Sequence, residues 1–444
     1  MNIAYISADF GVHIFGYKGA SIHAREMIRA FRKAGHRVHV ISSAMTDGKK
    51  KKLDARPEDF RQFEAYRALM ADTGQNGHAG ELRFYPATPS EELLGFIRAL
   101  EQLDRFIGSK TRIRQEIRNL LFNLDLYQTA LTVFREQAID FVYERYSLFS
   151  LAGIRLAREL GVPHLLEVNA PLAYEQEKMR GLEMKDLARS LEAQIFRETD
   201  RLLVVSTTLA EYARECGVPE ERITVLPNGV DVQVFSDDLS GEPVRQQFGL
   251  AGKAIIGFVG SLKPWHGTES LLQAFGRLNR DFPQAHLLIV GDGPMREALE
   301  TMADEQGFAD RVTFTGKVQY RDIPQFIAAM DIATAPYIPH ENFYFSPIKI
   351  FEYMAVGKPV VAGGIGQVND IVAHGETGLL YEPGNVEQLA EALRTLLADA
   401  KLRRTMGRRG RKWVARERTW DRNAATVLEL AQQLAAEKQA AVPS

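Results

Sequence analysis

The sequence of 444 residues predicts an α/β protein made of two doubly wound, parallel-sheet domains. Three observations carry that prediction. Short apolar runs alternate with helical patterns over residues 1–43 and again over 140–226. The same alternation starts afresh at Ala254 and continues to Ala362. A polar stretch, Ser236 to Lys253, separates the two series and is the best linker candidate.

The first strand is Asn2 to Ser7. A loop holding Gly11, Gly16 and Gly19 leads into a helical pattern from about Ser21 to Ala34, which Gly35 closes because glycine adopts the left-handed conformation that ends a helix. Arg37 to Ile41 is the next strand. Strand, helix, strand is a βαβ unit, and its repetition predicts a Rossmann-like parallel sheet with helices on both faces. The alternation lapses between about Ala44 and Glu136, where a lysine run (Lys49 to Lys52) and mostly helical sequence read as an insertion. It resumes with a strand at Asp140 to Tyr143, a helix near Leu148 to Leu160, and a strand at His164 to Val168. A long helix ending near Thr199 follows, then strands at Arg201 to Val205 and Ile223 to Leu226.

In the second series the predicted strands are Ala254 to Val259, His286 to Val290, Arg311 to Phe314, Ile332 to Ala335 and Pro359 to Ala362. The expected domains are 1–235, with the insertion at about 44–136, and 253–418. Residues 419–444 are expected to form a C-terminal helix packing across both. Two such sheets are expected to face each other across a cleft, with ligands at the carboxyl ends of their strands.

Composition narrows the function. A hydrophobic share of 45% with 25% charged residues is that of an ordinary globular protein, and a net charge of -2 gives no drive toward nucleic acid. Cys216 is the only cysteine, which excludes an intrachain disulfide and a multi-cysteine metal site. The start of the chain reads as a strand and not as a signal peptide, and no later run has the eighteen or so apolar residues of a membrane span. A cytoplasmic location is expected, with peripheral membrane contact left open.

The most informative stretch is Phe345-Ser346-Pro347-Ile348-Lys349-Ile350-Phe351-Glu352, continuing to Gly357-Lys358-Pro359. Ser346 suits an N-cap, Pro347 a first helical residue and Gly357 a C-terminal stop. The free N–H groups at the start of such a helix form an anion site suited to a diphosphate, and Glu352, one and a half turns in, is placed to meet ribose hydroxyls. The plainer reading is a simple cap and a solvated glutamate. Gly291-Asp292-Gly293-Pro294 follows a strand and forces a tight turn. Neither half holds the G-x-G-x-x-G dinucleotide fingerprint, which disfavours a dehydrogenase.

Taken in order, five motifs make the chain similar to the retaining glycosyltransferases of family 4, which have the GT-B fold of two facing Rossmann domains. They are Gly35-His36-Arg37-Val38, Pro227-Asn228-Gly229-Val230-Asp231, the run from Gly260 to Gly267, Gly291-Asp292-Gly293-Pro294 and the helix just described. The resemblance covers nearly the whole chain, the insertion excepted. It implies that the C-terminal half holds a nucleotide diphosphate sugar, a UDP-sugar by preference, and that Glu352 is the second glutamate of the family's pair, on the donor ribose. The first glutamate falls at Tyr344, with Glu341 nearby but out of register. The family's diphosphate-binding arginine and lysine fall at Ser261 and His266, so Lys263 and Lys349 are the expected replacements; His266 fits a packing role equally well. Gly19-Ala20-Ser21 takes the place of the glycine-rich loop at the donor phosphate, a plain turn being the alternative. Lys317 and Val318 match the region whose backbone reads the base. Asn169 stands where a histidine often lies near the sugar. Glu144 and Arg145 either line the acceptor side or form an internal ion pair.

The implied reaction retains anomeric configuration, with the leaving phosphate taking the acceptor's proton. No two aspartates are separated by one residue, so no Asp-x-Asp metal motif exists; neither metal nor cofactor is expected, and cations with the helix end at Ser346, Pro347 and Ile348 must stabilise the leaving group. A nucleotide-sugar 2-epimerase and a non-catalytic sugar-nucleotide-binding protein are the alternatives. In the insertion, Arg105, Lys110, Arg112, Arg114 and Arg118 interleave with Phe106, Ile113, Ile117, Leu120, Leu121 and Phe122. This pattern reads either as a basic amphipathic helix for an anionic membrane or as a stripe packed on its own domain.

Overall fold

Both expected sheets form, and every strand pairing in them is parallel. The computed structural model describes all residues except 17, 47–56, 72–78, 109–110, 136, 342 and 441–444, and backbone only at 57–59. The lysine run Lys49 to Lys52 and Lys110 therefore lie outside the described residues. Two units emerge: Met1–Pro227 with Trp420–Ser444, and Asn228–Thr419.

The first unit contains β1 (Asn2–Ser7), α1 (Gly19–Lys33), β2 (Arg37–Ser42), α2 (Glu64–Ala71), β3 (Leu82–Pro86), α3 (Glu91–Ile107), α4 (Ile113–Phe134) and β4 (Phe141–Arg145). It continues with α5 (Ala152–Leu160), β5 (His164–Val168), α6 (Leu172–Met179), α7 (Lys185–Glu198), β6 (Arg201–Val204), α8 (Thr207–Glu215) and β7 (Ile223–Val225). Sheet order is β3-β2-β1-β4-β5-β6-β7 among the described residues. The inner strands β1, β2, β4, β5 and β6 bury their Ile, Val, Leu and Phe side chains on both faces, as expected of a sheet covered twice by helices.

The second unit contains α9 (Glu242–Gln247), β8 (Ala254–Val259), α10 (Thr268–Leu278), β9 (Ala285–Val290), α11 (Arg296–Glu305), β10 (Val312–Phe314), α12 (Ile323–Ala328) and β11 (Ile332–Ala335). Then come α13 (Ile348–Ala355), β12 (Val360–Gly363), α14 (Val368–Ile371), β13 (Gly378–Tyr381), α15 (Val386–Ala398) and α16 (Ala400–Glu417). Its sheet order is β10-β9-β8-β11-β12-β13. The closing helix α17 (Trp420–Ala440) belongs to the first unit, where Ala424, Val427 and Ala431 share a core with Phe31 and Tyr143.

Five readings change. The insertion carries a strand, β3, which extends the first sheet by pairing with β2; its alternation over Leu82, Arg83 and Phe84 is too short to stand out among helices. The long helix before Thr199 is two helices, α6 and α7, with Gly181 in the left-handed region between them. The second sheet gains β13, four residues long. The stretch Ser236 to Lys253 lies within the second unit: α9 puts Val244 into its core, and the unit boundary falls at Pro227 and not at 235. The closing helix, expected across both halves, is assigned to the first.

Candidate active site

A doubly wound sheet opens a crevice where neighbouring strands send their connections in opposite directions. In the second unit that point lies between β8 and β11. The chain leaves β8 at Gly260, whose φ is 151°, and a Cβ there would stand 2.6 Å from the Nζ of Lys349. Beside it Gly291, with φ 138°, brings backbone so close that a Cβ would meet the Gly260 carbonyl oxygen at 1.9 Å. Leu262 N–H donates to the carbonyl of Asp292 (3.0 Å) and the Met295 N–H to that of Leu262 (3.1 Å). Glycine is required at both turns, and the two motif loops are locked together by backbone contact.

Into this corner α13 sends Lys349. Its ammonium is buried 4.3 Å from the centre of the Phe258 ring and 5.7 Å from that of Tyr337, and has no hydrogen-bond partner among the described residues. Burial pushes its pKa down to about 7, against the pull of the Glu352 charge. His266 lies at the other side of the corner. Its Nδ1 sits 2.5 Å from the Ser261 carbonyl, which requires the N–H there, and its ring packs 6.1 Å from both Phe258 and Tyr337. Burial, with Lys349 and Lys263 adding repulsion, lowers its pKa to about 3. His266 is therefore a neutral ring that braces the loop, and Ser261 contributes its carbonyl to the brace. Lys263 is exposed, with its ammonium 4.8 Å from the Trp265 ring.

The start of α13 departs from expectation. Pro347, not Ser346, is the N-cap, and no side chain caps the helix. Ser346 Oγ instead accepts the N–H of Asn228 (3.0 Å), and Asn228 Nδ2 donates to the Ser346 carbonyl (2.7 Å), tying the Pro227-Asn228-Gly229 turn to the helix start. The first-turn N–H groups of Ile348 and Lys349 are left without a side-chain acceptor, which suits an anion. Glu352 is buried and accepts from Tyr320 Oη at 2.9 Å. Tyr344 is buried against Phe345, ring centres 4.4 Å apart, while Glu341 is exposed. Lys317 is exposed beyond β10, and Val318 packs on the unit's core.

The first unit holds the remaining residues. Gly19 and Ala20 open α1, whose N-cap Lys18 makes no side-chain cap; buried Arg25 fastens the preceding loop through the carbonyls of Ile14 (2.7 Å) and Gly16 (2.6 Å). Asn169, at the end of β5, donates its amide to Glu167. Glu167 also accepts from Tyr143 and from Arg145 (2.7 Å), and Arg145 donates to Nδ1 of His23 (3.1 Å). The charges hold the Glu167 carboxyl low, while burial lowers His23 to about 4. Glu144 is wholly buried, accepting from Ser150 and facing His164 Nε2 at 3.0 Å. Glu144 and Arg145 are thus both spent on internal pairs.

Sequence reasoning missed Tyr320, Tyr337 and Phe258. An aromatic in a strand reads as core, and nothing local marks the one beneath a lysine. Gly260 opens the Gly260 to Gly267 motif, and its positive φ supplies the reason for glycine there.

Comparison with known proteins gives the family and the fold. The description "Glycosyltransferase Family 4" matches residues 17–234, and "Glycosyl transferases group 1" matches 242–413. The chain is 32% identical to the GDP-mannose-dependent alpha-(1-6)-phosphatidylinositol monomannoside mannosyltransferase of Mycobacterium tuberculosis, over 56% of this chain and 66% of that one, just under two thirds. It is also 32% identical to the 2-deoxystreptamine glucosyltransferase of Streptomyces kanamyceticus, over 60% of this chain and 70% of that one. Among solved structures, Anabaena HepE in complex with UDP aligns with TM-score 0.68 and 20% identity, covering 98% of this chain and all of that one. Sucrose-phosphate synthase of Thermosynechococcus elongatus aligns with TM-score 0.70 and 21% identity, covering 98% and 99%. These structures share the fold of two Rossmann-like domains. The chain belongs to glycosyltransferase family 4, with the GT-B class of fold.

Proposed function

We propose that the protein transfers a sugar from a nucleoside diphosphate donor to an acceptor, retaining anomeric configuration and without a metal ion. The observation that carries this reading is the buried, unpartnered Lys349 beside the uncapped start of α13, at the switch point of the second sheet. Transfer places growing negative charge on the departing diphosphate, and a cation already desolvated beside free N–H groups stabilises that charge more in the transition state than in the ground state. Lys263 adds a solvated cation at the rim. Glu352 accepts ribose hydroxyls, Gly19 and Ala20 present backbone N–H groups, and the carbonyl and N–H of Lys317 and Val318 face the base. Asn169, oriented by Glu167, hydrogen-bonds the sugar. The leaving phosphate takes the acceptor's proton.

The names of the relatives support the donor class: one uses GDP-mannose, and HepE was crystallised with UDP. No helix among the described residues is long and apolar enough to cross a membrane. Peripheral contact with a membrane surface belongs to this reading through apolar area alone: α3 exposes Phe96, Leu103, Phe106 and Ile107, Phe106 to 89%, while Glu91, Glu92, Glu101 and Asp104 outnumber its Arg98 and Arg105. The apolar stripe Ile113, Ile117, Leu120 and Leu121 lies wholly on α4, while Arg105 and Phe106 fall on α3. Arg114 pairs with Glu101 at 2.5 Å, and Arg118 lies over the Phe10 ring.

The test is incubation with UDP- and GDP-sugars plus candidate acceptors in EDTA, following released nucleoside diphosphate and glycosylated product, with proton NMR reading the anomeric centre. Equal amounts of both, with configuration kept, is the expected result. An epimerised donor without product identifies an epimerase, binding without turnover a non-catalytic protein, and activity restored only by magnesium or manganese a metal-dependent transferase.

A further inference from the structure

The first sheet has its own switch point, between β1 and β4, and a cavity of about 170 Å³ opens beside the loops that leave those two strands. Asp9, Phe10 and Ser147 line it from the strand ends, Arg112 and Arg118 from the start of α4, and Arg180 from the end of α6. The acidic groups are already engaged. Asp9 accepts the Gly11 N–H at 2.7 Å, and Glu116, also in the wall, accepts the N–H groups of Glu183 (2.9 Å) and Met184 (2.8 Å). The cationic groups are less fully matched, though Arg118 feels the charge of Asp9. Arg112 and Arg118 have no carboxylate within 4 Å among the described residues, and Arg180 only grazes Glu175 at 3.4 Å. Arg118 is half-buried, its guanidinium 4.1 Å from the Phe10 ring centre and its N–H groups on Asn119 Oδ1 (3.0 and 3.3 Å). α4 begins here with no side-chain cap, so its dipole adds to the positive field.

The wall is also strained. Phe149, in the loop after β4, has φ 68°, a left-handed conformation that is costly for an aromatic residue. Asn123 of α4 holds it there: Nδ2 donates to the Phe149 carbonyl (2.6 Å), and Oδ1 accepts the N–H groups of Leu151 (2.5 Å) and Ala152 (3.1 Å). The insertion helix thus both supplies the arginines and fixes the loop opposite them. Strain of this kind persists where surrounding structure over-determines a functional geometry.

We propose that this cavity is a subsite for the acceptor's head group and binds a phosphate ester of a small polyol, with Arg112 and Arg118 as its ligands. The proposal rests on the transferase reading for the word acceptor, but the anion site is defined by its own residues. A planar guanidinium pair matches phosphate oxygens, and a cavity of this size admits a phosphate with a few carbons. The ester is either free in solution or the head group of a lipid.

The experiment is calorimetric titration of sn-glycerol 3-phosphate into the full chain, with saturating UDP or GDP filling the nucleotide site, and co-sedimentation with phosphatidylinositol vesicles against neutral ones. Arg112→Gln, at an exposed position, and Arg118→Gln are compared with the wild type, and circular dichroism with thermal melting reports the folding of the first unit, which carries both positions. The expected result is saturable binding to one or both probes that weakens at least tenfold in each variant while nucleotide affinity is unchanged. Free ester binding identifies a soluble acceptor, and vesicle binding alone a lipid-borne one. Binding that is equal in wild type and Arg112→Gln, or absent for both probes, overturns the proposal. A wild type that binds no nucleotide overturns the transferase reading instead, and the glycerol phosphate titration without nucleotide still judges the cavity.

Discussion

The ammonium of Lys349 stands 4.3 Å from the centre of the Phe258 ring, at a place only a glycine at 260 leaves open. The ring's negative face offsets part of the loss of water, but no oxygen among the described residues replaces the missing hydrogen bonds. A cation kept in that condition is ready to meet an anion.

Removing it should slow chemistry more than it weakens donor binding. Lys349→Met, which keeps the volume, is expected to lower kcat by about 10²–10³, the cost of one preorganised charge at a developing oxyanion, roughly 2.7–4 kcal/mol. Lys263→Ala, an exposed cation, should lower it by less. Steady-state kinetics at saturating donor decide; normal turnover in Lys349→Met removes the residue from the reaction.

The same substitution should stabilise the unliganded protein. An unfolded lysine titrates near about 10.4, whereas Lys349 is lowered to about 7 by burial. Between those values the unfolded chain binds more protons, so the wild type gains stability as pH rises from 7 toward 10.4. The cost of the buried ammonium is complete below pH 7, and there Lys349→Met should melt highest above wild type, the gap closing toward pH 10. Thermal scans across this range test it, and a Met variant less stable at pH 6 would contradict it.

Glu352 accepts from Tyr320 at the end of a helix turn and has little water around it. Glu352→Ala should raise the donor KM about ten- to a hundred-fold, the measure of a charged hydrogen bond of about 1.5–3 kcal/mol. A donor KM within twofold of wild type would remove the ribose contact.

Acid should destabilise the protein before its carboxylates titrate. Burial lowers His23, His39 and His286 to about 4 and His266 to about 3, below the ordinary 6.5. Each ring stays neutral in the native state while the unfolded chain protonates it, so their contribution is present above pH 6.5 and is lost as pH falls toward 4. Urea midpoints should drop steadily from pH 7 to 4.5. His23→Gln, which keeps an acceptor for Arg145, should flatten that slope by up to one proton; an unchanged slope would count against it.

Strand positions in both sheets were readable because fully buried parallel strands are nearly continuous apolar runs, as in Ile255 to Val259 and Leu287 to Val290. β3 and β13 escaped because four or five residues at a sheet edge carry too little pattern to outweigh their surroundings. At the candidate site, Glu352 was singled out by its place one and a half turns into a helix and Lys349 by the family resemblance, and the structure puts both on α13. The neutrality of His266 was not legible, since it depends on the Ser261 carbonyl and on Lys349, eighty-odd positions away in sequence. Ser346 misled for a related reason: its hydroxyl satisfies Asn228, a partner that helix-capping rules do not see.

The membership of α17 in the first unit sets an order of events during synthesis. Trp420, Val427 and Leu434 complete a core begun by Tyr5, Met27 and Phe31, yet the ribosome must first make all of Asn228–Thr419. At roughly 5–20 residues per second, that leaves the seam along α1 uncovered for about ten to forty seconds. The second unit, synthesised later, is therefore complete earlier, and the first emerges as the aggregation-prone partner that chaperones must shield. A chain ended at Thr419 and released from the ribosome should carry a folded C-terminal unit and an N-terminal unit still open to proteases.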